Sequence, residues 1–128
     1  FIDWFWDRYE GDLDRMFATS LPALREELLS ISGIGRETAD AILLYAGQLP
    51  SFVVDAYTAR ILYRHRLIDS SADYDEIKEL FESNLPAEVP LFNEYHALLV
   101  HVGKLHCRPQ ARCEGCPLEL FEHDLEDV

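Results

Sequence analysis

The sequence predicts an all-α fold, and three observations carry that expectation. Apolar residues recur at intervals of three and four along most of the 128 residues. No stretch alternates apolar and polar side chains as a half-buried strand would. Glycines, prolines and capping side chains fall at the ends of the periodic runs. With 48% hydrophobic and 12% aromatic residues, the chain can bury a core without covalent staples.

In chain order, residues 1–10 read as a helix that Gly11 ends, with Trp4 and Trp6 expected in the core, and Leu13, Met16 and Phe17 as a short apolar turn. Ser20 is a good N-cap and Pro22 suits a first turn, and from there Leu21, Leu24, Leu28, Leu29 and Ile31 keep helical spacing up to Gly33. Thr38 to Ala46 form a second helical run that ends at Gly47. Pro50 to Val54 is extended and apolar, and Asp55 caps a helix reaching about Arg66. Helices over 74–84 and 93–106 follow, separated by Pro86 and Pro90. A cysteine loop and an acidic tail, expected to be frayed or surface-bound from Glu119 on, close the chain. The expected division is a helical region over 1–92 and a unit over 93–128 made of the last helix, the cysteine loop and the tail. The opening Phe1-Ile2-Asp3-Trp4-Phe5-Trp6 has no initiator Met and is already dense in apolar residues, which reads as a C-terminal fragment.

The net charge of −13 argues at first against a polyanionic partner. Its distribution changes that reading. Residues 1–32 carry seven acids against three bases, 67–94 eight against one, and 117–128 five against none. Residues 33–66 have three acids and four bases, and 95–116 one and three. No window approaches the roughly 18 to 20 apolar residues of a membrane span, and no signal peptide is visible, so the sequence reads as soluble, cytoplasmic and without a membrane partner. Cys107, Cys113 and Cys116, three within ten residues, suit a metal or cluster site in a reducing compartment better than a disulfide framework.

Two motifs sit in the locally neutral stretch. Leu29-Ser30-Ile31-Ser32-Gly33-Ile34-Gly35-Arg36 reads as a helix, a glycine hairpin and the start of a second helix. Its backbone N–H groups can hold a phosphate without side-chain charge, or it is a plain αα-hairpin. About twenty residues on, Asp55 follows an apolar extended run and opens a helix. It is either a cap alone or a carboxylate placed beside a nucleotide, where it could stabilise a sugar cation or activate water.

These residues resemble the helix-hairpin-helix DNA glycosylase superfamily, whose hairpin, Gly/Pro-rich loop and Asp match Gly33, Gly35, Pro50 and Asp55. The likeness is to the endonuclease III branch, and within it to bacterial relatives of 3-methyladenine DNA glycosylase. It is carried by the run from Gly33 to Ala46 and by Val53-Val54-Asp55-Ala56-Tyr57-Thr58. It covers roughly residues 10 to 118 and implies a partial glycosylase fold with an iron-sulfur-type cysteine loop. It further implies a base-excision enzyme acting on double-stranded DNA with a damaged base, expected to be an alkylated purine. A monomer in a bacterial or archaeal cytoplasm, associated with the nucleoid, is expected.

By the resemblance, Asp55 is catalytic, and Gly33, Ile34, Gly35, Arg36 and Thr38 contact DNA. Tyr57 and Glu37 are candidates for the base pocket, Tyr57 having packing and Glu37 a first-turn helix acid as the alternative. Bifunctional members carry a Schiff-base Lys where this chain has Glu37, which points to a monofunctional glycosylase. A glycosylase that also cleaves abasic sites and a non-catalytic DNA-binding module are the rival readings. The family's cysteine loop holds a [4Fe-4S] cluster with four Cys. Here Cys107, Cys113 and Cys116 supply three, and Glu122 and His123 stand where the fourth belongs. Zinc held by the three Cys with His123 or His106 is the other metal reading, beside no metal at all. Arg108 and Arg112, inside this loop, are placed to meet phosphates or are solvated loop charges. His96 and His101 read as hydrogen-bonded core or boundary residues.

Overall fold

The computed structural model describes residues 1–124, and every regular element among them is helical. Helix α1 (Ile2–Tyr9) ends where Glu10 and Gly11 take positive φ. The expected apolar turn is a short helix, α2 (Leu13–Phe17), because the Asp12 carboxylate accepts from the amides of Asp14 and Arg15. Helix α3 (Leu21–Leu29) carries Pro22 in its first turn. The hairpin leads into α4 (Arg36–Ala41), which continues as one π turn over Ile42–Ala46. Then come α5 (Ala56–Arg64), α6 (Tyr74–Asn84) and α7 (Val89–Leu105). Helix α7 begins four residues before the expected position 93. Pro90 lies in its first turn, where the missing N–H was never needed, so this proline opens the helix instead of separating two. No helix of the described residues is long and apolar enough to cross a membrane.

Two apolar clusters meet at neighbouring residues of the π turn, Leu43 facing one and Leu44 the other. The first joins Tyr9, Met16, Leu24 and Leu28 from α1 to α3. The second gathers Phe52, Val53 and Val54 with α5, α6 and α7. Phe52 stacks on Phe81 at 4.2 Å and meets Phe92 edge-on at 5.3 Å. Helices α5 and α7 touch so closely that a Cβ on Gly103 would lie 2.5 Å from the Tyr57 ring. Of the two tryptophans expected in the core, Trp4 packs against Tyr9, whereas Trp6 is 61% exposed with its ring over Gly11. A helix this short offers one buried stripe, and Trp6 lies off it.

A buried polar network fixes the segment between α4 and α5. The Asp40 carboxylate is fully buried and accepts two bonds from Arg25, at 2.9 and 3.1 Å, one from Ser51 at 2.6 Å and one from Tyr74 at 2.8 Å. The Tyr74 hydroxyl in turn accepts from the Val54 amide at 3.2 Å. Lys78 donates to Ser51 and to Glu82, and Glu82 accepts from the Phe52 amide at 2.9 Å. Helix α6 thus holds the extended run 51–54 through its own backbone N–H groups, while Asp40 of α4 takes the Ser51 hydroxyl. The tail up to Asp124 is surface-bound. Arg66 pairs with Glu122 and Asp124, and the Asp124 amide donates to the Arg64 carbonyl at 2.7 Å. The rest of the acidic tail lies outside the described residues.

Candidate active site

Asp55 is the N-cap of α5, and its two oxygens have different jobs. Oδ1 accepts from the Thr58 amide at 2.9 Å and from the Thr58 hydroxyl at 3.0 Å. Oδ2 takes no part in the cap and stands 3.7 Å from Nε2 of His96. The two side chains are 16% and 14% exposed, so the pair is screened from bulk water without being sealed. His96 Nδ1 lies 3.0 Å from the Val53 carbonyl oxygen. A carbonyl only accepts, so Nδ1 carries the proton of that bond. Tyr45, on the π turn, meets the His96 ring edge-on at 6.2 Å. Burial pushes its phenol pKa up, and the Asp55 carboxylate adds to the shift.

Sequence reasoning points to Asp55 and gives His96 no part in the chemistry. The Val53 bond agrees with a hydrogen-bonded boundary residue, but the same geometry brings the ring to the carboxylate. The available signal was spacing. His96 and Gly103 are seven residues apart on α7, hence on one face, and Gly103 is where Tyr57 of α5 packs. Tyr57 is half-buried with its ring against Gly103.

The hairpin is open on its outer side. Gly33 has φ +89° and Gly35 is extended, and a Cβ on either would meet nothing within 4 Å. The Ile34 amide donates to the Ile31 carbonyl at 3.1 Å. Helix α4 has no side-chain cap, and its first intrahelical bond is donated by Ala39 to the Gly35 carbonyl. The amides of Arg36, Glu37 and Thr38 therefore precede the hydrogen-bonded ladder, on three exposed residues. The Arg36 side chain pairs with Asp75 of α6 at 3.0 Å. Asp75 also takes Arg25, so the hairpin and the segment before Asp55 are joined through the Asp40 network.

Cys107, Cys113 and Cys116 line one small cavity with His106 and His123. Buried Arg64 organises this loop, donating to the carbonyls of Arg108 and Pro109 and to Cys107 Sγ. Burial pushes the Cys113 thiol pKa up, with Cys116 and Cys107 adding to it. His123 Nδ1 is held at 2.6 Å from the Phe121 carbonyl. Among the described residues, no three His, Cys, Asp or Glu side chains converge as metal ligands. The three thiols thus line one cavity without converging as a ligand set among the described residues.

A family model for the helix-hairpin-helix motif matches residues 19–45. A protein of Methanocaldococcus jannaschii, provisionally named a DNA repair glycosylase, is 56% identical over 113 residues, covering 87% of this chain and 51% of that protein. Endonuclease III of Sulfolobus acidocaldarius is 33% identical over 107 residues, covering 83% of this chain and 47% of the enzyme. A solved structure of a trapped covalent intermediate between endonuclease III and DNA superposes with a TM-score of 0.73 at 26% identity, over 91% of this chain and 50% of that one. The chain thus spans about half the length of the curated relatives it matches.

Proposed function

Because this chain belongs to the helix-hairpin-helix DNA glycosylase superfamily, on its endonuclease III-like side, we propose that it carries the phosphate-holding hairpin and the sugar-activating carboxylate of a base-excision DNA glycosylase. The observation that carries the reading is the divided role of Asp55. Oδ1 fixes the carboxylate by capping α5, and Oδ2 remains to face a sugar. As the N-glycosidic bond of a flipped nucleotide breaks, an oxocarbenium-like sugar develops, and a carboxylate held in place stabilises it without reorganising. Amides at Gly33, Gly35 and the first turn of α4 hold the flanking phosphate of double-stranded DNA. In this reading Glu37 and Tyr57 are the candidates for the base pocket, and the substrate is an alkylated purine.

The reaction is monofunctional in this reading. A lyase needs an amine at the sugar, and the chain's two lysines are poorly suited. Lys78 is buried in the Asp40 network, and Lys104 sits in the last turn of α7. A glycosylase that also cleaves at abasic sites is the second reading, favoured by relatives named endonuclease III. Borohydride trapping of the natural full-length protein on abasic DNA separates the two. Little covalent adduct is expected, and efficient trapping would establish the lyase.

The decisive test of the glycosylase reading is release of methylated purines from methylated duplex DNA by the full-length protein and by Asp55→Asn. The amide keeps the cap and removes the charge, so excision should vanish while DNA affinity stays within a few-fold. Near-native turnover by the Asn variant would reduce Asp55 to a cap. A [4Fe-4S] cluster, if bound, would be held by Cys107, Cys113 and Cys116 and would order this loop; no step of the reaction runs through it. Iron and sulfide in anaerobically purified protein are expected, and stoichiometric zinc without sulfide would overturn the cluster.

A further inference from the structure

We infer that His96 is the general base of the proposed hydrolysis, sharing the attacking water with Asp55. The inference rests on the glycosylase reading and adds a second residue to it. The Val53 carbonyl holds the Nδ1 proton, so the neutral ring presents a bare Nε2 lone pair toward Asp55. Nε2 and Oδ2, 3.7 Å apart, are then two acceptors facing one another. Such a pair is satisfied by one donor between them. A water there gives one proton to each acceptor, and its lone pairs point outward, toward a sugar carbon seated at Asp55.

The step balances with no further reactant. The water oxygen forms the bond to C1′, the C1′–N bond breaks with its electron pair leaving on the base, and the water proton passes to Nε2. A purine already cationic through alkylation departs neutral. Asp55 remains ionised throughout, first against the sugar cation and then against the imidazolium, which it stabilises at contact distance. The titratable groups against the ring are Asp55 from the start of α5 and Tyr45 from the π turn. On α7 itself, the positions one turn away are Phe92, Asn93, Leu99 and Val100, none of which titrates.

Two measurements test this on the natural full-length protein. The first is single-turnover release of methylated purines across pH by the native protein and by His96→Gln, whose amide can keep the Val53 bond but is not basic. Gln is expected to slow excision about 100-fold or more, to remove the limb on which rate rises with pH, and to leave DNA affinity within about two-fold. A native-like rate, or an unchanged limb, overturns the assignment. The second is ¹⁵N NMR of the His96 ring, which needs no substrate. A protonated Nδ1 with bare Nε2, and an Nε2 resonance that moves in Asp55→Asn, is expected. A proton on Nε2 alone, or an Nε2 resonance indifferent to Asp55→Asn, overturns it. Should the native protein release no methylated purine, the proposed substrate fails, and the ring spectrum still decides whether His96 and Asp55 act as a pair.

Discussion

Gly33 holds φ at +89° and Gly35 does not, so one substitution has different consequences two residues apart. Gly33→Ala should destabilise the fold by about 1–2 kcal/mol, the cost of an L-residue in the left-handed region, and lower the calorimetric melting temperature. Gly35→Ala has open space for its Cβ, so melting should be unchanged while duplex affinity by fluorescence anisotropy falls. Unaltered affinity would remove Gly35 from the DNA interface. Asp40→Ala is expected to be the harshest of these changes, at about 3–5 kcal/mol in denaturant unfolding, because it removes the buried carboxylate that Arg25, Ser51 and Tyr74 share and leaves Arg25 only the more exposed Asp75. Gly33 and Asp55 were legible because their chemistry is local: a hairpin needs the positive φ, and a helix start needs the acceptor. Asp40 and His96 were not. Their partners lie on other elements, as far as 43 residues away for His96 and Val53, and periodicity says nothing of such meetings.

Helix boundaries followed the caps more than the apolar pattern. Asp12 turned an apolar turn into a helix, and Pro90 opened α7. The π turn at Ile42–Ala46 left no mark in the periodicity, since inserting one residue into a short helix only rotates its last turn. Packing between elements gives a sharper prediction. Gly103→Ala brings a Cβ to 2.6 Å from the Tyr57 Cβ, a contact that no swing of the ring relieves. A loss of about 1–3 kcal/mol is expected, and Tyr57→Gly, which removes that Cβ as well as the ring, should tolerate Ala at position 103 in a double-mutant cycle. The tail gives a pH prediction. The Arg66 guanidinium holds the Asp124 carboxyl below its ordinary value. A depressed carboxylate contributes above its unfolded pKa and loses its contribution as pH falls through the folded one. The tail should therefore detach from α5 on acidification below the usual carboxylate range, read as faster amide exchange at Asp124 while α5 itself stays protected.

For the whole molecule, the proposed DNA partner agrees with the distribution of charge and not with its net sign. The acid lies on 1–32, 67–94 and the tail, while the hairpin, Asp55 and the cysteine loop fall in stretches where bases match or exceed acids. Arg36, Arg60 and Arg64 have partners within the fold, whereas Arg108 and Arg112 are exposed. If those two meet phosphates, Arg108→Gln with Arg112→Gln should flatten the plot of log K against log salt by about 0.9 for each phosphate no longer neutralised, and an unchanged slope would place both in solvent. The Asp40 network has a further consequence for how the molecule comes apart. Because Arg25, Asp40, Ser51, Tyr74 and Lys78 bond to one another and reach the Phe52 and Val54 amides, the segment that carries Asp55 has no private route of opening. Hydrogen exchange at Val54 should then report a single cooperative unit spanning α3 to α6, so that a mutation at the far end of that unit alters the opening of the segment before Asp55 while touching nothing beside it.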